Sequence, residues 1–203
     1  MSNRYIIGDA NGWLRVRLEP SGEIIALPEY LRVDYQETRQ EENSSERRDY
    51  FTIYEGVYRG KKASVRLTSQ GKTNLGFPLP VYRGPARLVF NTTKGEITYN
   101  GNKRIGTLTY PRSPIPQGTH NIQIPDFPHQ LGNGYLGQSV FSQTWFLIGT
   151  GVAVQGQNAR YLHPGQVTAG CATTNPDQWT DLYRFLILSR QGDRKNVGTL
   201  KVI

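Results

Sequence analysis

Short runs in which apolar and polar residues alternate, punctuated by turn residues, account for most of this chain. Trp13 to Leu18 alternates apolar residues with arginines, Ile24 to Leu27 is a brief apolar run, and Leu31 to Tyr35 alternates again. Alternation with period two is the mark of half-buried strands. Glu37 through Asp49 is almost wholly polar and charged, and reads as a solvated loop or flexible excursion. Strands resume at Tyr50 to Tyr58 and Ala63 to Thr68, joined around Gly60-Lys61-Lys62. The tetrapeptide Val-Tyr-Arg-Gly occurs at 57–60 and again at 81–84, but its surroundings differ and no repeat architecture follows.

Glycines and prolines crowd together at Gly71, Gly76, Pro78, Pro80, Gly84 and Pro85, which places a boundary between a first region, 1–84, and a second, 85–203. Beyond it come Arg87 to Thr92, a Lys94-Gly95 turn, Glu96 to Tyr99, an Asn100-Gly101 turn and Lys103 to Thr109. Asn-Gly between extended segments is a strong hairpin signal, because both central positions of a type I′ turn need positive φ. Thr119 to Ile124, Trp145 to Gly149, Ala159 to His163 and Val197 to Val202 are further strands. One helix stands out. Asn175 is placed to cap it, Pro176 fits the first helical position, and Trp179, Leu182, Tyr183, Leu186 and Ile187 repeat at helical spacing to about Ser189. The expected fold is mainly β.

Composition narrows the chemistry. The 203 residues include 24 Lys and Arg against 16 Asp and Glu, a net charge of +8. Such a balance favours an anionic partner, but the basic residues are dispersed, with no basic helix and no aromatic ribonucleoprotein motif, so no nucleic-acid partner is expected. A single cysteine forbids an internal disulfide and multi-cysteine zinc sites, and His120, His129 and His163 lack metal-ligand spacing. No metal or other cofactor is expected. The N-terminus has no apolar core of signal-peptide length and no run is long enough to span a membrane, so synthesis in the cytoplasm without membrane insertion is expected.

Cys171 carries the sharpest question. Free cysteine is often a buried small hydrophobe, yet this one ends Thr168-Ala169-Gly170-Cys171, eight residues after His163 and just before the helix. A nucleophilic thiol needs a base and backbone amides for an oxyanion. The segment holds candidates for each: His163 as base, brought to Cys171 by the Pro164-Gly165 turn, and the amides of Gly170 and Cys171. A histidinium close by would favour the thiolate. The competing role for His163, a satisfied structural histidine, is the weaker one given its neighbours. His129 either lines a cleft or caps a loop, and Tyr135, Ser139 and Trp145 could form a lid, with core packing the simpler role for Trp145.

In order along the chain, Leu88 to Gly101, Ser113-Pro114-Ile115-Pro116-Gln117-Gly118-Thr119-His120-Asn121-Ile122, and His163 through Cys171 resemble the L,D-transpeptidase (YkuD-type) catalytic domain. The resemblance covers about 85–203. It departs at Ala169, where many members have histidine, and at Ala172-Thr173, where they have a hydrophobic residue and arginine. The short His-to-Cys spacing is similar to a branch found among type VI secretion effectors that attack the peptidoglycan of rival bacteria. The resemblance implies a β-sandwich-like catalytic domain with one helix after the cysteine, preceded by a small β-rich N-terminal region. It implies acyl transfer on peptidoglycan stem peptides, as carboxypeptidase, D-amino-acid exchange or transpeptidation, with Cys171 as nucleophile, His163 as base and Gly170 at the oxyanion. A third group, a backbone carbonyl near Tyr161 or a side chain, would orient His163, and Tyr161, Thr168 and His129 would line the substrate site. Export to the periplasm or cell wall by a non-classical route, and an immunity protein as partner, belong to the same expectation. A papain-like enzyme is disfavoured by chain order. The rival from another class is a non-catalytic cell-wall or polyanion-binding β module using the basic surface of residues 1 to 80.

Overall fold

The polar run that reads as a loop is a long hairpin. In the computed structural model, which describes residues 2–42, 44–149 and 159–203, β4 (Arg32–Gln40) and β5 (Arg47–Ile53) pair antiparallel out to Gln40 beside Arg47. Asn43 lies outside the described residues. Hydropathy marked the inner parts of these strands, Leu31 to Tyr35 and from Tyr50, but not their outer ends, which bury few apolar side chains and are held by side-chain contacts instead. Thr38 donates to the buried Asp49 carboxylate across the pair, and the Arg39 guanidinium lies 4.2 Å above the Tyr50 ring. Asp49 also accepts from Thr73, so both carboxylate oxygens are satisfied, as a buried charge requires. β5 stops at Ile53, short of the expected Tyr58. Glu55 turns inward there to accept from the backbone N–H and Nε of Arg32, and Gly56 takes a positive φ.

The chain divides into two units, Met1–Val81 and Tyr82–Ile203. The first unit adds β1 (Ser2–Ile6), β2 (Trp13–Glu19), β3 (Ile24–Pro28), β6 (Lys62–Arg66) and β7 (Leu75–Gly76) in one antiparallel sheet of order β3-β2-β6-β5-β4-β1-β7. Val16, Leu18, Phe51, Ile53, Ala63 and Val65 alternate into its core.

The second unit is built from β8 (Ala86–Asn91), β9 (Glu96–Tyr99), β10 (Lys103–Leu108), β11 (Gly118–Gln123), β12 (Phe146–Ile148), β13 (Arg160–Pro164), β14 (Ala172–Thr174) and β15 (Asn196–Val202). These close into a barrel of order β10-β14-β13-β12-β11-β15-β8-β9, so the mainly β layering takes the form of one sheet curled on itself. The β9–β10 turn has Asn100 at φ 44° and Gly101 at φ 83°, the left-handed pair that Asn-Gly announces. The helix α1 (Pro176–Ile187) follows β14, with Asn175 Oδ1 accepting from the Asp177 N–H. Its buried face, Trp179, Leu182, Tyr183 and Leu186, packs against β13 and β15, each side chain contributing on the order of 2 kcal/mol by burial. A 3-10 helix, Gln130–Tyr135, precedes β12. Among the described residues no helix is long and apolar enough to cross a membrane.

Candidate functional site

β13 and β14 run parallel, and this sets the geometry around the cysteine. Leu162 pairs with Ala172, His163 with Thr173 and Pro164 with Thr174. The turn at Pro164-Gly165 therefore joins the end of β13 to the start of β14, and the chain must run back the length of the strand before Cys171. One step upstream in the register, Cys171 comes beside Tyr161, whose N–H donates to Sγ at 3.4 Å. His163 meets Thr173 instead. Since side chains two apart share a face, Tyr161 and His163 project to one side of the sheet, with Thr173 next to His163 in the register. Strand rise and spacing put the His163 and Cys171 Cα atoms roughly 8 Å apart. The direct His163–Cys171 hydrogen bond that an antiparallel turn would have made is not formed.

Both imidazole nitrogens are engaged elsewhere. Nδ1 lies 2.9 Å from the Pro164 carbonyl and Nε2 lies 3.1 Å from Thr173 Oγ1. A carbonyl only accepts, so Nδ1 carries the proton, Nε2 keeps its lone pair, and the Thr173 hydroxyl donates to it. The orienting carbonyl is that of Pro164, not one near Tyr161. Burial drives the His163 pKa down to about 4, the Pro164 hydrogen bond opposing and His129 adding to the fall. His163 is neutral at physiological pH. Burial likewise pushes the Cys171 thiol up, against the Tyr161 N–H and the Arg160 guanidinium, which pull it down. The resting pair is thus thiol and imidazole, not the thiolate and histidinium expected from proximity.

The loop before Cys171 is braced from within. Gly170 N–H donates to Thr168 Oγ1 at 3.1 Å, and the same hydroxyl donates to the Cys171 carbonyl at 3.1 Å. Thr168 is therefore occupied in fixing the turn, and one of the two amides assigned to an oxyanion is already engaged. Gly170 sits at φ 121°, and a Cβ there would stand 2.5 Å from the Ser113 carbonyl oxygen and 2.8 Å from Arg160 Cζ. Only glycine fits this position.

Beside the imidazole stands a column of rings. Phe127, His129, Trp145 and His163 stack in succession with centroids 4.4, 4.4 and 4.2 Å apart. His129 Nε2 lies 3.2 Å from Asp126 Oδ1, while Tyr161 donates to Asp126 Oδ2 at 3.3 Å and meets the His129 ring edge-on. Burial first, then Asp126, raises the Tyr161 phenol to about 12, so it stays protonated. His129 is thus a member of the stack rather than a simple loop cap. Of the expected lid, only Tyr135 covers the site: its hydroxyl accepts from the Gln166 N–H, and its ring approaches Gly165. Ser139 is buried against Thr180, and Trp145 is buried in the column. Among the described residues no three His, Cys, Asp or Glu side chains group as a metal would require.

The sequence reading missed Arg160, Asp126 and Thr173. Thr173 is set beside His163 by the β13–β14 register, legible only once the parallel pairing is known, and no local signal marks Asp126 or Arg160. The class that fold and site define is a mainly β protein whose barrel unit carries a partly exposed cysteine next to Tyr161 and, two residues further along β13, a neutral, tautomerically fixed histidine. No known family, no curated protein and no solved structure matches the chain.

Proposed function

We propose that the second unit is a cysteine-dependent acyl-transfer enzyme acting on peptidoglycan stem peptides, of the L,D-transpeptidase type. The observation that carries this reading is the unprotonated Nε2 of His163, held by Nδ1–H to Pro164, two residues along β13 from the Tyr161 N–H that holds the partly exposed Cys171 sulfur. A base needs a free lone pair of fixed direction, and a nucleophile needs access. On substrate binding, Nε2 exchanges the Thr173 hydroxyl for the thiol proton, directly or through one water. Sγ then bonds to the carbonyl carbon preceding a terminal D-amino acid. The carbon–nitrogen bond breaks as the imidazolium returns its proton to the leaving amine, giving a thioester. Water completes carboxypeptidase action, and a second amine completes exchange or cross-linking. As an exported antibacterial effector the enzyme would act on the wall and be neutralised in its producer by an immunity protein.

Mass spectrometry of purified muropeptides incubated with the protein tests this. Release or exchange of the terminal D-amino acid, abolished in both Cys171→Ala and His163→Ala, is the expected result. No turnover, or turnover that survives loss of Cys171, would sink it.

One observation favours a binding role for the first unit. A cleft of about 550 Å³ there is lined by Arg15, Arg17, Arg48 and Arg66 together with Trp13. Arg17 and Arg66 are paired with glutamates, whereas the buried Arg48 leans chiefly on Ser64, with Glu46 at 3.9 Å. Sedimentation with isolated cell walls by Cys171→Ala, lost on Arg48→Met, is the outcome that a polyanion-binding module requires.

A further inference from the structure

The first unit holds a second cleft, of about 540 Å³, whose lining includes Ser2, Arg4, Tyr5, Thr73, Leu75 and Phe77 and shares no residue with the cleft that Arg48 lines. Leu75 pairs with Ile6, two residues along β1 from Arg4, so Arg4 and Leu75 face the same side of the sheet. The Arg4 guanidinium sits over the Tyr35 ring, with Cζ 3.7 Å from its centroid. That ring is itself anchored. Thr38 gives its proton to the buried Asp49 carboxylate, so the Tyr35 hydroxyl is the donor to Thr38 at 2.8 Å.

Arg4 has a platform but no anion. Arg17, Arg32 and Arg66 of the same unit each meet a glutamate, whereas no carboxylate among the described residues pairs with Arg4, and its buried Nε has no acceptor. A buried donor left unmade costs free energy. Apolar surface stands beside it: Phe77 is 72% exposed, and the Tyr5 ring is held between Tyr30, stacked at 5.8 Å, and Gly76, where a Cβ would collide with it.

We propose that this cleft binds a monocarboxylate with a flat apolar body, its carboxylate on the Arg4 guanidinium and its ring against Phe77 and Tyr5. A guanidinium matches a carboxylate in plane and can bind it bidentately. The Tyr35 platform restricts the cation before any ligand arrives, so less freedom is lost on binding. Charge selects the ligand further. Thr73, in the wall of the cleft, spends its hydroxyl proton on Asp49, so a buried carboxylate stands behind that wall. One cation backed by a carboxylate suits a single negative charge better than the two of a phosphate. The aromatic and aliphatic lining takes the body. The site uses no part of the second unit and stands apart from the acyl-transfer reading.

Benzoate titrated into the full chain, followed through backbone amide NMR signals, tests this. Benzoate should bind with a Kd of about 1 mM, as one charge-assisted pair and one covered ring allow. Benzyl alcohol, similar in shape but uncharged, should bind about tenfold more weakly, and so should acetate, which keeps the carboxylate and lacks the ring. Inorganic phosphate should also bind more weakly than benzoate. The shifts should centre on Arg4, Gly76 and Phe77, not on Trp13 and Arg48 of the other cleft. These comparisons use the wild type alone and need no variant to fold. Arg4→Gln should remove the preference for benzoate over benzyl alcohol, and Arg4→Lys should keep part of it. Arg15→Gln takes an equal charge from the other cleft and should leave the preference as it is. Equal binding of benzoate and benzyl alcohol, phosphate binding as tightly as benzoate, shifts centred on Trp13 and Arg48, or a preference that survives Arg4→Gln overturns the site.

Discussion

Thr173 and His163 stand side by side in the β13–β14 ladder, the threonine hydroxyl 3.1 Å from Nε2, so the histidine's basic nitrogen is occupied by a neighbour rather than by the cysteine. Both residues are buried, and the hydroxyl is the sole polar group at that nitrogen in the described structure. The hydroxyl aims the imidazole, and burial keeps it neutral.

Thr173→Val keeps the shape of the side chain and removes this donor. A buried acceptor left unmade costs about 1–3 kcal/mol, and the variant should lose stability by that amount in urea unfolding while Thr173→Ser stays near the wild type. Equal midpoints for the two variants would show that the hydroxyl does not hold the ring.

Stability should fall as pH drops from about 6.5 toward 4. The folded pKa of His163 is depressed to about 4, so over that window the unfolded chain binds a proton that the folded one refuses. Stability from this source is complete above the unfolded pKa and is lost progressively on acidification, by up to about 3 kcal/mol. His163→Gln, which cannot titrate, should flatten this part of the profile of unfolding free energy against pH.

Cys171 should react with iodoacetamide more slowly than free cysteine at pH 7.5, with a rate-versus-pH midpoint above the ordinary thiol value of about 8.5. Burial of the sulfur outweighs the Tyr161 N–H and Arg160. A midpoint below that value would mean the resting site already holds a thiolate.

Gly170→Ala should destabilise the protein by roughly 1–3 kcal/mol, because the new methyl group meets the Ser113 carbonyl and Arg160 at a left-handed φ of 121°. Muropeptide turnover should fall with it, as the loop bearing Cys171 can relieve the clash only by moving. Unaltered melting and turnover would show that the loop yields freely.

The strands that bury one face, the Asn100-Gly101 hairpin and the capped helix from Pro176 were legible because each is written in local pattern. The outer ends of the Arg32–Gln40 and Arg47–Ile53 hairpin were not, since Thr38, Asp49, Arg39 and Tyr50 hold them by polar and cation–π contacts that hydropathy does not register. The site was half legible. Cys171, His163 and Gly170 stood out by residue type and spacing, but their mutual placement depends on a parallel pairing that no local signal carries. An antiparallel turn would have joined His163 to Cys171; the parallel one gives Thr173 to the histidine and Tyr161 to the cysteine. No local signal marks Arg160.

Trp145 lies between two imidazoles, His129 on one face at 4.4 Å and His163 on the other at 4.2 Å. An indole flanked in this way is an optical gauge of its neighbours, because a protonated imidazole quenches tryptophan emission and a neutral one does so far less. His163 resists its proton down to about pH 4, so the face of the chromophore that it covers answers only to strong acidification. The barrel thus carries its own built-in indicator, which reads the charge state of the site without label, substrate or added dye.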